Sequence, residues 1–145
     1  MKKLSLYILL VLAGLMFVGT TDASPKKGKK ILWAVEDIKW EAMKDGPPGV
    51  MTATLWGDPA KGAYAGFNKF PAGFKAPLHF HTNETKIVII KGAYTYEGRE
   101  YGPGSCLLIP GGDKHVSGGV ADSETIFFIE QPGKFDIIPV DAEKK

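Results

Sequence analysis

The chain contains three histidines, and their spacing suggests a metal site. His79 and His81 stand two residues apart, and in a β-strand this spacing points both imidazoles to the same face of the sheet. His115 follows a second predicted strand and a turn, and a hairpin-rich barrel could bring it back toward the pair. Three neutral imidazoles around one ion leave coordination positions open for water or a ligand. We therefore predict that His79, His81 and His115 bind one divalent transition metal.

The sequence does not identify that metal. Imidazole nitrogen binds iron, manganese, zinc, nickel and copper, so each of these remains a candidate. A site with several thiolate ligands would narrow the choice of metal, but Cys106 is the only cysteine. A single cysteine also excludes an intrachain disulfide. Cys106 lies in the apolar run 106–109, and we expect it to be a buried small side chain rather than a nucleophile.

The elements that would position the histidines are predicted to be short β-strands in a single all-β domain. The chain has 18 glycines and 10 prolines, which favour tight turns over long helices. Residues 85–91 form a β-branched run of the kind that is buried on both faces of a sheet. Glu130 and Gln131, at a strand end, are expected to be solvated. The predicted strands are 31–35, 50–56, 63–70, 78–81, 85–91, 93–97, 99–101, 105–109, 126–130 and 137–140.

The N-terminal segment has the features of a secretory signal peptide. Two lysines are followed by an apolar run, residues 4–18, and by small or polar residues up to Ala23. The run is shorter than the roughly 20 residues that a membrane-spanning helix needs. We expect a signal peptide at 1–23, a basic flexible arm at 24–30 and the folded domain at 31–145. The protein should be exported, periplasmic or secreted, without stable membrane insertion after cleavage.

The charge of the mature chain argues against nucleic acid as a partner. Removal of Lys2, Lys3 and Asp22 with the signal peptide leaves 16 basic and 15 acidic residues, a net charge of +1. The lysines of residues 24–30 form a local basic cluster, and a solvated arm accounts for it. We expect a small-molecule ligand instead.

Two segments resemble the paired motifs of the cupin superfamily. Residues 73–92, GFKAPLHFHTNETKIVIIKG, resemble the first motif, in which a glycine precedes His-x-His, a glutamate and a second glycine. Residues 104–119, GSCLLIPGGDKHVSGG, resemble the second, in which Pro-x-Gly is followed by a histidine and an asparagine. The sequence around these two motifs is similar to that of small bacterial cupins of the anti-sigma-factor cupin-like type. The resemblance implies a single cupin barrel, also called a double-stranded β-helix or jelly roll.

The sequence departs from the family pattern at two positions. Counted back from Gly92, the glutamate of the first motif falls on Thr85, and the nearest carboxylate is that of Glu84. Because side chains alternate along a strand, Glu84 should point away from the histidines unless a bulge shifts the register. We expect Glu84 to lie outside the metal ligands and Thr85 to occupy the glutamate position. Gly119 replaces the asparagine of the second motif.

The sequence leaves three functions open. The first is a metal-binding cupin that recognises a small molecule in the barrel without converting it. The second is a metal-dependent enzyme, either a dioxygenase with iron or an isomerase or lyase with manganese or zinc. The resemblance implies a precedent for such an enzyme, because cupin thiol and diketone dioxygenases use three histidines. The third is a structural barrel with vestigial histidines. A homodimer formed through the first strand, residues 31–35, is a further expectation.

Overall fold

The computed structural model describes residues 28–44 and 46–140. These residues form a short 3-10 helix, Val35–Asp37, and eleven β-strands. The strands are β1 Glu41–Ala42, β2 Met51–Gly57, β3 Tyr64–Phe70, β4 Lys75–Phe80, β5 Thr85–Lys91, β6 Tyr94–Tyr96, β7 Arg99–Tyr101, β8 Cys106–Ile109, β9 His115–Gly119, β10 Thr125–Gln131 and β11 Ile138–Pro139. The predicted signal peptide, 1–23, and most of the predicted arm, 24–30, lie outside the described residues and stay predictions. Within the described part of the chain, no helix has the length and apolar character needed to cross a bilayer.

The strands form two antiparallel sheets. The first has six strands in the order β1-β2-β3-β10-β5-β8, and the second has five in the order β11-β4-β9-β6-β7. Neighbours come from distant parts of the chain, since β10 lies between β3 and β5. No strand pairing among the described residues closes the two sheets into one barrel. The fold is a two-sheet jelly roll, which confirms the predicted fold class.

Aromatic side chains fill the space between the sheets. Phe70 of β3 packs edge-on against Phe127 of β10, with ring centroids 4.9 Å apart. Tyr94 of β6, in the other sheet, lies 5.1 Å from Phe127 and 6.0 Å from Phe70. Rings of this size bury large apolar areas, and the burial stabilises the packing of one sheet on the other. The cluster therefore holds β3, β10 and β6 at a fixed spacing.

Strand β5 has its predicted limits, but it is buried on one face only. Ile87 and Ile89 point inward and are 3% and 1% exposed, whereas Val88 and Ile90 are 37% and 47% exposed. The expectation that both faces are buried is therefore wrong. An antiparallel sheet commonly packs on one face and leaves the other in water, and this run follows that alternation.

The strand predicted at residues 31–35 is absent. Residues 31–34 adopt no regular structure, and Val35 begins the 3-10 helix. Leu32 and Val35 are largely exposed. The physical reason is that β1 already pairs with β2 at this edge of the sheet. A homodimer through residues 31–35 has no strand to form it, and the homodimer itself stays a prediction.

Strand β9, which begins at His115, has no counterpart among the predicted strands. It contains Gly118 and Gly119, and glycine weakens the strand pattern that sequence reasoning relies on. Packing requires both glycines. A Cβ at Gly118 would overlap the carbonyl oxygen of Phe74, and a Cβ at Gly119 would lie 2.8 Å from Thr125 Oγ1. The family's asparagine would not fit at Gly119 without a shift of its neighbours.

Cys106 is exposed, so the expectation of a buried thiol is wrong. Strand β8 is the outer strand of its sheet, and alternation buries Ile109 while Cys106 and Leu108 face solvent. We predict that a thiol reagent such as DTNB labels native Cys106 within about a factor of ten of its rate with the unfolded chain. The Cys106→Ser variant, which has no thiol, gives the background signal of the reagent. Labelling that requires denaturant would contradict the exposed position.

Gly92 ends β5 at a φ of +68°, where residues with a side chain are strained. A Cβ there would also overlap the carbonyl oxygen of Glu124. Gly98, between β6 and β7, has a φ of +82° but open space around it. We predict that Gly92→Ala lowers the free energy of unfolding by about 2–4 kcal/mol, and Gly98→Ala by about 1 kcal/mol. Urea unfolding measures both, and equal losses would show that the approach to Glu124 is unimportant.

Candidate metal centre

The three histidines converge on one point. Each offers a ring nitrogen, and these nitrogens all lie within 4.8 Å of one another. The ring centroids are 4.4 Å apart for His79 and His115, 5.1 Å for His79 and His81, and 5.8 Å for His81 and His115. Small ring rotations would bring all three nitrogens to roughly 2.0–2.1 Å from one ion. The predicted convergence is confirmed.

Strands β4 and β9 place two of these residues opposite each other. His79 of β4 pairs in register with His115 of β9. Between Ala76 and His79 the register shifts, and this irregular stretch contains Pro77. Proline has no amide hydrogen for the ladder, so it is tolerated in a strand at such a bulge. The bulge leaves the Pro77 carbonyl beside the ring of His79, at 2.7 Å from Nδ1.

His81 lies just past the end of β4, where two other segments fix its backbone. Its carbonyl oxygen accepts a hydrogen bond from the Gly112 amide at 2.8 Å. The next amide, of Thr82, donates to Asp136 Oδ1 at 2.9 Å. The turn after β8 and the segment before β11 therefore hold His81 in place. These two hydrogen bonds position His81 beside His79 and His115 although His81 lies outside a strand.

All three histidines use Nδ1 to bond a backbone carbonyl oxygen. The acceptors are Pro77 for His79 at 2.7 Å, Asp136 for His81, and Asp113 for His115 at 2.9 Å. A carbonyl can only accept, so Nδ1 must carry the proton. In the neutral ring, Nε2 then carries the lone pair that a metal needs. The shared arrangement sets one tautomer and presents three Nε2 atoms as ligands.

The Nε2 atom of His115 is buried and has no hydrogen-bond partner among the described residues. Leaving a buried acceptor unsatisfied costs about 1–3 kcal/mol. A metal ion at the meeting point of the rings would satisfy this lone pair. The donor set of three neutral imidazoles, fixed through Nδ1, therefore fits a divalent transition metal.

Burial keeps His79 and His81 in the form that binds metal. Loss of solvent lowers the pKa of His79 below its ordinary value, and the neighbouring imidazoles add to the effect, while the bond to Pro77 opposes it. Burial likewise lowers the pKa of His81, against the raising effect of the Asp136 carbonyl. Both rings are therefore neutral at pH 7, and neutral imidazole is the ligand form.

Tyr96 and Asp113 support the ring of His115 from behind. The ring of Tyr96 stacks on that of His115 with centroids 4.9 Å apart, and its hydroxyl donates to the Asp113 carboxylate. Burial, followed by the bond to Asp113, raises the pKa of Tyr96, so the phenol stays protonated and keeps donating. Asp113 Oδ2 lies 4.0 Å from His115 Nδ1. The stacked ring and the backbone bond together limit rotation of the imidazole.

Two of the histidines, His79 and His81, line a cavity between the two sheets. Its walls are mostly apolar, and the other polar residues among them are Asn68, Thr85, Ser117 and Tyr94. The cavity is open to solvent, and its enclosed part has room for only a few water-sized molecules. Apart from the imidazoles, no acidic or basic side chain lines it in the described part of the chain.

The family described as the ChrR cupin-like domain matches residues 28–134 of the chain. The chain belongs to this family. No curated protein sequence matches it. The family assignment agrees with the resemblance found in the two histidine motifs, and it accounts for the jelly-roll fold.

Solved structures share the fold of this cupin. The polyketide cyclase RemF from Streptomyces resistomycificus has a TM-score of 0.67 and 19% identity, over 80% of this chain and 89% of that one. A protein of unknown function with a cupin-like fold from Ralstonia eutropha JMP134 has a TM-score of 0.63 and 25% identity, over 73% and 74% of the two chains. A chain in the complex of Rhodobacter sphaeroides SigE with the anti-sigma ChrR has a TM-score of 0.55 and 22% identity, over 68% of this chain and 51% of that one. This cupin thus spans about half of that last chain.

In this cupin, Thr85 stands inside the cavity where the family motif has glutamate. Thr85 is 2% exposed and lines the cavity together with His79 and His81. Glu84 lies on the turn before β5 and is not part of the metal-competent cluster. Thr85, rather than Glu84, is the inward residue at the start of β5, where it pairs with Ile109 of β8. The structure agrees with the expectation for both residues.

A buried chain of hydrogen bonds holds Thr85 in place. Gln131 donates from Nε2 to Thr85 Oγ1 at 2.6 Å, and its Oε1 accepts from the Tyr64 hydroxyl at 3.2 Å. Gln131 is 1% exposed, so the expectation that Glu130 and Gln131 are solvated is wrong for Gln131. Strand β10 continues through Gln131, and the inward alternation of Thr125, Phe127 and Ile129 reaches it. That alternation is the sequence signal that would have found Gln131.

Proposed function

We propose that this cupin binds one divalent transition metal through Nε2 of His79, His81 and His115 and takes a small molecule in the adjoining cavity. The unpartnered, buried Nε2 of His115 is the observation that carries the proposal. A structural role alone leaves this atom unsatisfied, at a cost of about 1–3 kcal/mol. Metal binding removes that cost and uses the common Nδ1 arrangement of the three rings.

The cavity supports the small-molecule part of the proposal. Concave sites with apolar walls and a few convergent polar groups are typical of ligand pockets. Asn68 is 7% exposed and faces this space beside Thr85 and Ser117. Because the enclosed part is small, the ligand has few heavy atoms, or it inserts one small group while the rest lies at the mouth.

Catalysis is the second candidate, and the open cavity beside the histidines favours it over a closed structural metal. Among the solved structures that share the fold are a polyketide cyclase and a putative dioxygenase from Nostoc punctiforme. A bound metal would supply Lewis acidity, or oxygen chemistry if it is iron. The chain's own groups would bind and orient the substrate, because the described cavity lining holds no carboxylate, lysine or cysteine to act as acid, base or nucleophile.

We also propose that the protein is exported, on the strength of the charged, apolar and small-residue segments of 1–23. N-terminal sequencing of the protein from its native host should begin at Ser24, in the periplasmic or secreted fraction. A cytoplasmic protein that retains Met1 would contradict export.

Elemental analysis of the protein from its native host tests the function. We predict close to one transition-metal ion per chain, and loss of that ion in the His79→Ala variant. The protein is then mixed with small thiols, diketones and phenolic compounds while oxygen uptake is followed. Iron with oxygen uptake supports the enzyme, and metal with ligand binding but no turnover supports the binding protein. A chain that takes up no metal, even after incubation with each candidate ion, contradicts both.

A further inference from the structure

The cavity provides no negative charge to balance a divalent metal. Its polar groups are neutral side chains, and Thr85 stands where the family motif has glutamate. Three neutral imidazoles add no charge either. An ion in a mostly apolar, partly enclosed space is strongly destabilised unless charge of the opposite sign lies close to it. The donor set should therefore bind a metal more tightly when a negatively charged group joins it in the cavity.

The hydrogen bonds around Thr85 cannot supply that charge. Gln131 is neutral at any pH, and the Thr85 hydroxyl does not ionise in the accessible range. Burial raises the pKa of Tyr64 above its ordinary value, so the phenol at the far end of the chain also stays neutral. The whole arrangement of Tyr64, Gln131 and Thr85 is polar but uncharged.

The two carboxylates nearest the histidines lie behind the rings rather than in the cavity. Asp113 has a side chain that is 44% exposed and is bonded by the Tyr96 hydroxyl. Asp136 accepts from the Thr82 amide. Neither belongs to the cluster of metal-competent atoms. Solvent screens an exposed carboxylate, so these groups reduce the imbalance without removing it.

The hydroxyl of Thr85 is set to donate into the cavity. Its oxygen already accepts from Gln131 at 2.6 Å, so its proton must point elsewhere. The one acceptor the protein offers it in the described residues is the carbonyl of Asn83 at 3.4 Å, a long hydrogen bond. An oxygen atom of a ligand in the cavity would be a better acceptor.

We infer that the small molecule bound with the metal is an anion, a carboxylate or a comparable oxyanion, which accepts a hydrogen bond from Thr85 and balances the charge of the ion. The inference rests on the proposed function and names the chemical class of its ligand. Metal and anion should therefore bind cooperatively, because each lowers the cost of burying the other's charge.

Calorimetric titration with Zn²⁺ near neutral pH tests this coupling. Millimolar sodium acetate, compared with sodium perchlorate at equal ionic strength, should raise the Zn²⁺ affinity by about tenfold, within the usual range for coupled sites. The binding of acetate to free Zn²⁺ is subtracted. Co²⁺ provides a second readout, since acetate that joins the ion should change its visible absorption spectrum.

Two variants at one position separate charge from hydrogen bonding. Thr85→Glu places a carboxylate in the cavity, so Zn²⁺ should bind more tightly without acetate, and the acetate effect should fall to about twofold or less. Thr85→Val keeps the shape and the charge balance but removes the donor, so a reduced acetate effect should persist. If Thr85→Glu does not fold, the comparison of acetate with perchlorate on the wild-type protein still decides the question.

The outcomes distinguish this inference from the function on which it rests. Zn²⁺ binding that His79→Ala abolishes, but that acetate does not strengthen, would overturn the anion inference and leave the metal site standing. Absence of Zn²⁺ binding, or binding that His79→Ala does not change, would overturn the proposed function itself. Tighter binding with acetate in wild type and its loss in Thr85→Glu supports both.

Discussion

Replacing His115 by alanine should abolish most of the difference in Tm between the metal-loaded and the chelator-treated protein. The reason is mass action, since a ligand that binds only the folded state stabilises it. A metal at about a thousand times its Kd contributes about 4 kcal/mol, which for a domain of this size is a Tm difference of about 10–20 °C. Removal of one of three ligands should reduce that difference to a few degrees. Scanning calorimetry with and without chelator measures it.

The matched control for this experiment is Glu84→Gln. Glu84 lies outside the cluster of metal-competent atoms, so this variant should keep nearly the full effect of the chelator. His79→Ala should behave as His115→Ala does, because the two residues pair across β4 and β9. Identical melting curves with and without chelator, on wild-type protein shown to carry metal beforehand, would leave the histidines as core residues and favour the structural barrel.

Lowering the pH should release the metal, starting below about pH 6.5, the ordinary pKa of histidine. Protons and metal compete for the same Nε2 lone pairs, and burial lowers the pKa of His79 and His81, which moves release to lower pH. The affinity should fall by up to about tenfold per pH unit for each ring that protonates. Dialysis at a series of pH values, followed by elemental analysis, gives the pH of half-release. That pH should drop as free metal is increased, and a value independent of metal concentration would contradict competition at the histidines.

The metal-free protein should also lose stability in the acid direction. The pKa values of His79 and His81 are lower in the folded state than in the unfolded chain. Below about pH 6.5 the unfolded state therefore binds protons that the folded state does not, and the free energy of unfolding decreases as the pH falls toward the folded pKa values. Above about pH 6.5 both states are neutral at these residues and their contribution is constant. Urea unfolding of the metal-free protein should show a smaller pH dependence in His79→Ala.

Local chemistry was enough to predict strand β5 and the shared face of His79 and His81. A β-branched run that ends at a glycine has few alternatives, and Gly92 indeed ends the strand with a positive φ. The spacing of His79 and His81 predicts a shared face from strand geometry alone. The position of His115 depended on the family resemblance, because the β4–β9 pairing that places it joins segments far apart in the sequence.

Other features depend on tertiary contacts that local patterns do not encode. Residues 31–35 are apolar enough for a strand, but β1 already pairs with the available edge of β2. Gly118 and Gly119 weaken the strand pattern of β9, yet close packing between strands requires them. The burial of Gln131 follows from its partners Thr85 and Tyr64, which lie on other strands. Each of these depends on which segments become neighbours.

The position of the metal in crystals of the protein loaded with Zn²⁺ would show whether the three histidines are its ligands. Because each Nδ1 is bonded to a backbone carbonyl, an anomalous difference map should show one peak per chain at about 2.0–2.1 Å from Nε2 of His79, His81 and His115. A map with no peak among the three rings, from crystals that elemental analysis shows to contain one Zn²⁺ per chain, would rule out the three-histidine metal site.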